Sequence, residues 1–502
     1  MRMNRYDPEA IVPRAGGTGG LGAQAMRGVA ASGTAQGVKL GVQIVSVVLL
    51  SRFLAPHDFG LIAMASPIIS FANMAQNLGL SQAVVVNPTL TYAQASTMFW
   101  INAGLSLILA FVLAVCAPFV ATFYGEGELT WIVTALAVAV FGSGLGAQHL
   151  AMATRGMRFG AIAIVETAMA VLGLCVALIW ALVAPSPWAL VASALVTALT
   201  SLIGAWIISG WRPQRPGSFA TVGAMLRFGG GLTTFNLSNF FARNLDNILI
   251  GRFHGPVQLG LYDRAYKLLL FPLQQITYPL QRVMVPTLSQ LLGEPDRYRS
   301  AYCRTVSQIL LVTLPGILCL LVYTDVAILF MLGSQWMGAV DIFRWLALAS
   351  LHQPMTVTLG WLFISQSRTG QFARWGLFNA VSCAAAFAVG LPWGAVGVAA
   401  AYALSDVLIR LPLVWRLAGS QGPVSARDMI KLAIPFAFAG SLNAFVLFAV
   451  RPLLPPSAIG LSVAVILSYV TTLIALSLTR SGRTTIGQGM SLLFRTFSRR
   501  AG

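Results

Sequence analysis

Residues 227–291 decide the fold of this chain; they read RFGGGLTTFNLSNFFARNLDNILIGRF and continue as HGPVQLGLYDRAYKLLLFPLQQITYPLQRVMVPTLSQL. The first part is long enough to span a bilayer as a helix, although it contains several polar side chains. At ~100° per residue these side chains fall on one stripe of the helix, with leucine and isoleucine outside it. The stripe consists of Asn236, Asn239, Arg243, Asp246 and Asn247. Because lipid cannot solvate Arg243 or Asp246, we interpret this face as the wall of a central polar cavity.

The composition of the whole chain is that of a polytopic membrane protein. Hydrophobic residues make up 57% of it and charged residues only 9%, and the mean hydropathy is +0.78. These values exclude an ordinary soluble globular protein. The five cysteines lie in apolar stretches without metal-ligand spacing, and we interpret them as packed side chains.

Apolar segments long enough to cross ~30 Å of hydrocarbon recur along the chain and predict about fourteen transmembrane helices. The predicted spans are 28–51, 59–80, 94–120, 129–152, 160–184, 187–210, 229–251, 260–291, 304–324, 339–365, 373–391, 394–415, 430–450 and 457–479. Prolines inside the spans predict kinks, because each one removes a backbone donor. These prolines are Pro67, Pro272, Pro279, Pro286, Pro315, Pro354 and Pro435.

The basic residues predict the orientation of these spans. Most of the 32 Lys and Arg residues lie in the two tails and in the connectors that follow even-numbered helices. The positive-inside rule therefore places both termini in the cytoplasm. Residues 1–26 contain no apolar core of a signal peptide. The net charge of +18 is thus a topology signal, and we expect no nucleic-acid partner.

Two stretches of the chain repeat each other. Residues 52–65 read RFLAPHDFGLIAMA and residues 252–265 read RFHGPVQLGLYDRA, sharing Arg, Phe, Pro, Gly, Leu and Ala at equivalent positions. Each copy follows the first helix of a six-helix unit. The sequence therefore predicts an all-α protein with two six-helix lobes, arranged as parallel repeats around the cavity, plus two C-terminal helices. The predicted parts are a tail (1–27), an N-lobe (28–210), a connector (211–228), a C-lobe (229–416), two further helices (427–479) and a basic tail (480–502).

Three stretches carry a resemblance to a known family: SRFLAPHDFGLIAMA (51–65), the run from LGLYDRAY to LSQL (259–291) and LGSQWMGAVDIFRWLAL (332–348). The chain resembles Wzx-type flippases in the polysaccharide-transporter branch of the multidrug/oligosaccharidyl-lipid/polysaccharide exporter superfamily. The resemblance implies a two-lobed, non-enzymatic transporter that moves an undecaprenyl-diphosphate-linked oligosaccharide from the cytoplasmic to the periplasmic leaflet. It also implies that the protein contacts membrane lipid, and that a polysaccharide polymerase and export machinery are its partners.

Such a substrate needs cations for its diphosphate and amides for its sugars. The candidate cations at membrane depth are Lys39, Arg243 and Arg282. The candidate amides are Gln274, Gln275 and Gln281, which lie in the predicted span 260–291. Each group also has a structural interpretation. Arg243 is spaced to pair with Asp246, Arg282 can extend to the interface, and the glutamines can bridge packed helices.

Three acids at membrane depth are candidates for ion coupling, because a buried carboxylate can exchange a proton. They are Glu166, Asp246 and Asp406. Glu166 and Asp406 can equally be structural partners of nearby polar groups. His149 and His352 lack ligand spacing and are interpreted as packed side chains; we expect no metal and no cofactor.

Two other functions stay open at this point. A drug antiporter of the same superfamily would share the fold, although cations at membrane depth favour an anionic substrate. A polyprenyl-dependent glycosyltransferase or polymerase would need a catalytic acid, for which Asp58 is the nearest candidate, but Asp58 is also placed to cap a helix after Pro56.

Overall fold

The computed structural model describes residues 21–77, 80–87, 89–217 and 223–498. The regular secondary structure of these residues is helical, with no β-strand, which confirms the all-α prediction. The chain divides into two compact units, Met1–Gly260 and Leu261–Gly502. How they correspond to the predicted lobes and connector stays a prediction.

The first unit is built from long helices joined by short turns. They are α1 (Leu21–Phe53), α2 (Pro56–Asn77), α3 (Leu80–Val86), α4 (Tyr92–Tyr124), α5 (Leu129–Arg155), α6 (Phe159–Val183), α7 (Trp188–Ser209) and the first part of α8 (Gly223–Gln290). Helix starts follow local rules. The side chain of Thr91 accepts a hydrogen bond from Gln94, whose own side chain bonds back to the Thr91 backbone, so that α4 begins with a capping box.

The second unit contains the rest of α8 and ten more α-helices. They are α9 (Pro295–Val322), α10 (Thr324–Met331), α11 (Val340–Ser350), α12 (Gln353–Ser365), α13 (Thr369–Gly390), α14 (Gly394–Ser405), α15 (Leu411–Ala418), α16 (Ala426–Val450), α17 (Ala458–Ser477) and α18 (Arg480–Ser498). A π-helical segment, Asp406–Arg410, joins α14 to α15. The core is formed mainly by α9, α12, α16 and α17, around Tyr302 and Leu362.

Helices cover most of each predicted span where the structure describes it, but the count of fourteen is not confirmed. Within the described residues, ten helical stretches are long and apolar enough to cross a membrane. No part of α8 is among them, and 369–418 counts as one stretch. The predicted span 339–365 is divided at Leu351 and His352 into α11 and α12. The chain is therefore a multi-pass membrane protein.

The surface of these helices fits a lipid environment. Large apolar side chains are widely exposed, including Val183 at 82%, Phe119 at 73% and Ile207 at 71%. A soluble protein would bury most of such residues, whereas hydrocarbon solvates them.

Helix α8 is two helices joined at one residue. Gly255 has φ 77° and ψ −179°, values outside the helical region, and glycine reaches a positive φ without a Cβ clash. The break falls between the predicted spans 229–251 and 260–291, as the sequence indicates.

The two copies of the repeated sequence contact each other reciprocally. A Cβ atom on Gly60 would overlap the carbonyl oxygen of Pro256, and one on Gly260 would overlap the carbonyl oxygen of Pro56. Glycine is required at both positions because the backbones approach so closely. The exchange of equivalent residues is what a local two-fold relation between the copies produces.

A second structural repeat is an arginine that caps a neighbouring helix, and it occurs once in each unit. Met157 (φ 53°) and Ser367 (φ 56°) both have positive φ, and the arginine after each begins the next helix. Arg158 donates to the carbonyl oxygen of Ile208 at the end of α7, and Arg368 donates to that of Ala418 at the end of α15. Both arginines thus cap the C-terminus of a neighbouring helix, an equivalence that supports duplication.

Candidate functional site

Lys39 and Glu166, which the sequence assigned to different roles, form one ion pair. Lys39 lies on α1 and Glu166 on α6, two helices that pack together. The Lys39 Nζ and Glu166 Oε2 atoms are 2.7 Å apart, and the side chains are 29% and 43% exposed. Both residues lie inside candidate membrane spans. The pair therefore holds opposite charges at membrane depth while leaving part of each side chain accessible.

Lys39 belongs to a polar row on α1 that the sequence analysis missed. Gln36, Gln43 and Ser46 are spaced three, four and seven residues from Lys39, so all four lie on one face of the helix. Gln36 and Gln43 are exposed and Ser46 is half-buried. The four residues recur every three or four positions in the sequence, but the mainly apolar residues between them make the stretch resemble an ordinary membrane span. The row offers amides and a hydroxyl beside a cation.

The polar stripe of 227–291 is only partly described. The side chains of Asn236, Asn239 and Arg243 lie outside the described residues, so the Arg243–Asp246 pair stays a prediction. Asp246 is 6% exposed, and its Oδ1 accepts a hydrogen bond from the backbone N–H of Asn247 at 2.8 Å. Asp246 is therefore a buried carboxylate, and Asn247 beside it is half-buried.

On the second part of α8, the candidate residues are more accessible. Gln274 and Gln281 are half-buried and seven residues apart, on the same face. Arg282 is exposed, and within the described part of the chain no acidic group forms an ion pair with it. Among the described residues Arg282 thus differs from Lys39, whose charge is compensated by Glu166.

Asp406 lies in a buried cluster in the second unit. Its two carboxylate oxygens are each 3.2 Å from a basic group, His352 Nε2 on one side and Arg410 Nε on the other. Arg410 is 3% exposed, its guanidinium lies 4.4 Å from the ring centre of Tyr402, and it also contacts Cys383 Sγ. We call these five residues the helix-break cluster, because Asp406 and Arg410 bound the π-helical segment and His352 lies between α11 and α12.

Hydrogen bonding in the helix-break cluster is incomplete. Both ring nitrogens of His352 and the Nε of Arg410 are buried without a hydrogen-bond partner in the described structure. The 3.2 Å separations are ion-pair distances, but the N–H groups are not aligned with the carboxylate. Asp406 is therefore held by charge rather than by aligned hydrogen bonds.

The two histidines differ, although both were predicted to be packed side chains. His149 is fully buried, its Nδ1 lies 2.9 Å from Ser209 Oγ, and its ring lies 4.3 Å from that of Trp206, which fits a packed side chain. His352 instead faces a carboxylate. The i, i+4 spacing of Asp406 and Arg410 was the available signal for this cluster, but Arg410 was not among the cations predicted at membrane depth.

Comparisons with known proteins agree on one family. Residues 49–341 match the family described as Polysaccharide biosynthesis protein. The lipopolysaccharide biosynthesis protein WzxC of Escherichia coli (strain K12) is 22% identical over 372 residues, covering 74% of this chain and 76% of that protein. The succinoglycan biosynthesis transport protein ExoT of Rhizobium meliloti (strain 1021) is 27% identical over 354 residues, covering 70% and 71%.

Solved structures share the fold. The lipid II flippase MurJ in its inward closed conformation superposes with a TM-score of 0.72 at 12% identity, covering 89% of this chain and 98% of that one. An inward-facing multidrug transporter of the MATE family superposes with a TM-score of 0.56 at 13% identity, covering 79% and 95%. The transporter fold and the predicted resemblance are confirmed. Since the family match covers more than half of the 502 residues, the chain belongs to the polysaccharide biosynthesis protein family.

Proposed function

We propose that this protein is a flippase that carries an undecaprenyl-diphosphate-linked oligosaccharide from the cytoplasmic to the periplasmic leaflet, by alternating access, for surface polysaccharide assembly. The observation that carries this proposal is the family match over residues 49–341. Relatives named as polysaccharide biosynthesis and transport proteins support it. The protein would lie in the inner membrane with both termini in the cytoplasm, and would hand its product to a polymerase and export machinery.

The geometry at Lys39 suits such a substrate. A diphosphate loses its hydration when it enters hydrocarbon, so it needs a fixed cation to replace water. Lys39 supplies an ammonium at membrane depth, and Gln36 and Gln43 on the same face supply amides for sugar hydroxyls. Arg282 and the predicted Arg243 would add charge, and Gln274 and Gln281 further amides.

The pairing with Glu166 explains how Lys39 is tolerated without substrate. An uncompensated ammonium in hydrocarbon costs several kcal/mol, and a carboxylate at 2.7 Å offsets much of that cost. Lys39 can then contact a diphosphate only if Glu166 releases it or is neutralised. Glu166 is therefore the partner that substrate phosphate must replace.

A drug antiporter of the same superfamily remains the second candidate, because a MATE transporter also shares the fold. The ammonium and guanidinium groups at membrane depth disfavour a cationic drug, since like charges repel in a low dielectric.

We also propose that the protein is a transporter and not a glycosyltransferase. Asp58 accepts a hydrogen bond from the backbone N–H of Ala55 at 2.9 Å, so it serves the start of α2.

The experiment is reconstitution with fluorescently labelled undecaprenyl diphosphate. Purified protein in liposomes should expose inner-leaflet probe to a membrane-impermeant quencher faster than protein-free liposomes do. In the host, a deletion strain should accumulate lipid-linked oligosaccharide and lose surface polymer, and the wild-type gene should restore it. Normal polymer in a deletion strain that has no second flippase would contradict the proposal.

A further inference from the structure

We infer that the helix-break cluster is a proton-binding site, in which His352 takes up and releases the proton that accompanies flipping. The inference rests on the proposed function and adds its coupling ion. It starts from the charges. Asp406 and Arg410 carry opposite charges and lie 3.2 Å apart, so the pair is close to neutral as it stands. A proton on His352 would then give the cluster one net positive charge.

His352 is placed to hold that proton. Its Nε2 lies 3.2 Å from Asp406 Oδ2, so a proton on that nitrogen would face the carboxylate. Both ring nitrogens are buried and lack a hydrogen-bond partner among the described residues, so one of them is open to a proton. Imidazole is also the side chain that changes charge near neutral pH.

Among the described residues, the groups that contact Arg410 do not compensate for the added charge. Cys383 from α13 contacts Arg410, and Tyr402 from α14 lies beneath it, with Tyr266 from α8 nearby. These three are neutral near pH 7. On α11, which packs against α14, the charged residues are an exposed ion pair, Asp341 with Arg344 at 3.1 Å. On α8, within a turn of Tyr266, the charged residues are Asp263, Arg264 and Lys267, and Asp263 and Lys267 form an ion pair at 2.8 Å. The state of His352 therefore sets the net charge of the five residues of the cluster.

Arg410 also selects a proton over a metal cation. Its guanidinium occupies one oxygen of Asp406 and is 3% exposed, so it cannot leave the site without a large desolvation cost. A sodium ion would have to share that carboxylate with a fixed positive charge, whereas a proton binds to the imidazole and leaves the Asp406–Arg410 pair intact.

Helix discontinuities on both sides of the carboxylate allow the site to respond. His352 lies between two helices, and the i→i+5 hydrogen-bond pattern begins at Asp406. Breaks and π-helical segments in membrane helices concentrate at functional sites, because their backbone is not fixed by a regular ladder. The step is a simple exchange: His352 takes one proton from water on one side of the membrane, becomes imidazolium, and later returns that proton to water on the other side.

The test measures flipping and proton movement in the same liposomes. They contain purified full-length protein, a pH-sensitive dye in the lumen and labelled undecaprenyl diphosphate as the probe. For the wild type, lumen pH should change as the probe flips, and an imposed pH gradient should change the flipping rate. In His352→Gln both effects should fall to the level of protein-free liposomes, whereas His149→Gln, at the other buried histidine, should keep them.

The outcomes separate the two proposals. If the wild type does not flip the probe, the proposed function fails. If it flips the probe without moving protons, or if His352→Gln moves protons like the wild type, the proton site is wrong and the flippase assignment stands. Should His352→Gln not fold, His352→Lys, which fixes the positive charge, carries the same expectation: flipping that no longer responds to a pH gradient.

Discussion

The Lys39–Glu166 pair gives the sharpest test of the substrate site, because its structural and functional roles predict different results in a double mutant. We consider Lys39→Met, which keeps the length of the side chain, Glu166→Gln, which keeps its shape, and the two together. Each single change leaves one charge at membrane depth without its partner. The double change leaves none.

The size of the stability effect follows from the geometry. At 2.7 Å and an effective dielectric constant of about 20, Coulomb's law gives about 6 kcal/mol before desolvation. The side chains are 29% and 43% exposed, and desolvation and screening remove most of that figure. Exposed pairs retain about 0.2–1 kcal/mol, and breaking a buried pair costs about 3–5 kcal/mol. We therefore expect each single variant to lose ~1–3 kcal/mol and the double variant to lose less than ~1 kcal/mol.

The assays are thermal unfolding of the detergent-solubilised protein and flipping of labelled undecaprenyl diphosphate in liposomes. The unfolding temperature of the double variant should return towards the wild-type value. Flipping should not, because the ammonium that replaces phosphate hydration is absent. Glu166→Gln alone, which frees Lys39, should keep the probe bound at least as tightly as the wild type.

A matched control exists in the second unit. Arg451 and Asp325 are also 2.7 Å apart and each 33% exposed. Neutralising either residue should destabilise the protein, and neutralising both should restore most of the stability. None of these changes should alter flipping. If the Lys39→Met, Glu166→Gln double variant flips the probe at the wild-type rate, Lys39 is only a structural partner and the reasoning about the diphosphate is refuted.

Three further expectations concern other parts of the chain. Gly260→Ala should destabilise the protein by ~1–3 kcal/mol, because its Cβ meets a backbone carbonyl. The control Gly104→Ala, with no atom within 4 Å of the added Cβ, should be neutral or slightly stabilising. Thermal unfolding of both variants tests this, and equal midpoints would disprove the close contact. A reporter active only in the periplasm should give signal after Gly127 and none at the C-terminus, and the reverse pattern would overturn the predicted orientation. Arg243→Ala should abolish polymer export at normal membrane abundance while Arg243→Lys keeps part of it; recovery of export in an Arg243→Ala, Asp246→Ala double variant would instead show a structural pair.

The sequence predicted the helices well because their signals are local. Apolar length places the spans, and the glycine and proline residues around Gly255 indicate the break within α8. The division at His352 was less visible, although Pro354 lies in the first turn of α12, where proline is favoured. From the sequence alone, Pro354 predicts a kink inside one continuous helix.

The ion pairs could not be predicted in the same way. Lys39 and Glu166 are 127 positions apart, and nothing in either local sequence shows that α1 packs on α6. The sequence therefore identified both residues as candidates from their charge and depth, but gave them separate roles. Asp406 and Arg410 are four positions apart, yet their role depends on His352, which lies far away in the sequence, in the break between α11 and α12.

These pairs share one physical logic. Lys39 and Arg410 lie in membrane spans, and each has a carboxylate within 3.2 Å or less, because hydrocarbon penalises an uncompensated charge. A diphosphate that enters near Lys39 must therefore displace Glu166 as the ammonium's counter-ion, so substrate binding is an exchange of anions rather than the filling of an empty cationic site. Binding should then strengthen when Glu166 is neutralised, whether by mutation or by a proton. Specificity for a diphosphate over a singly charged anion follows, since a group of higher charge competes better with the resident carboxylate.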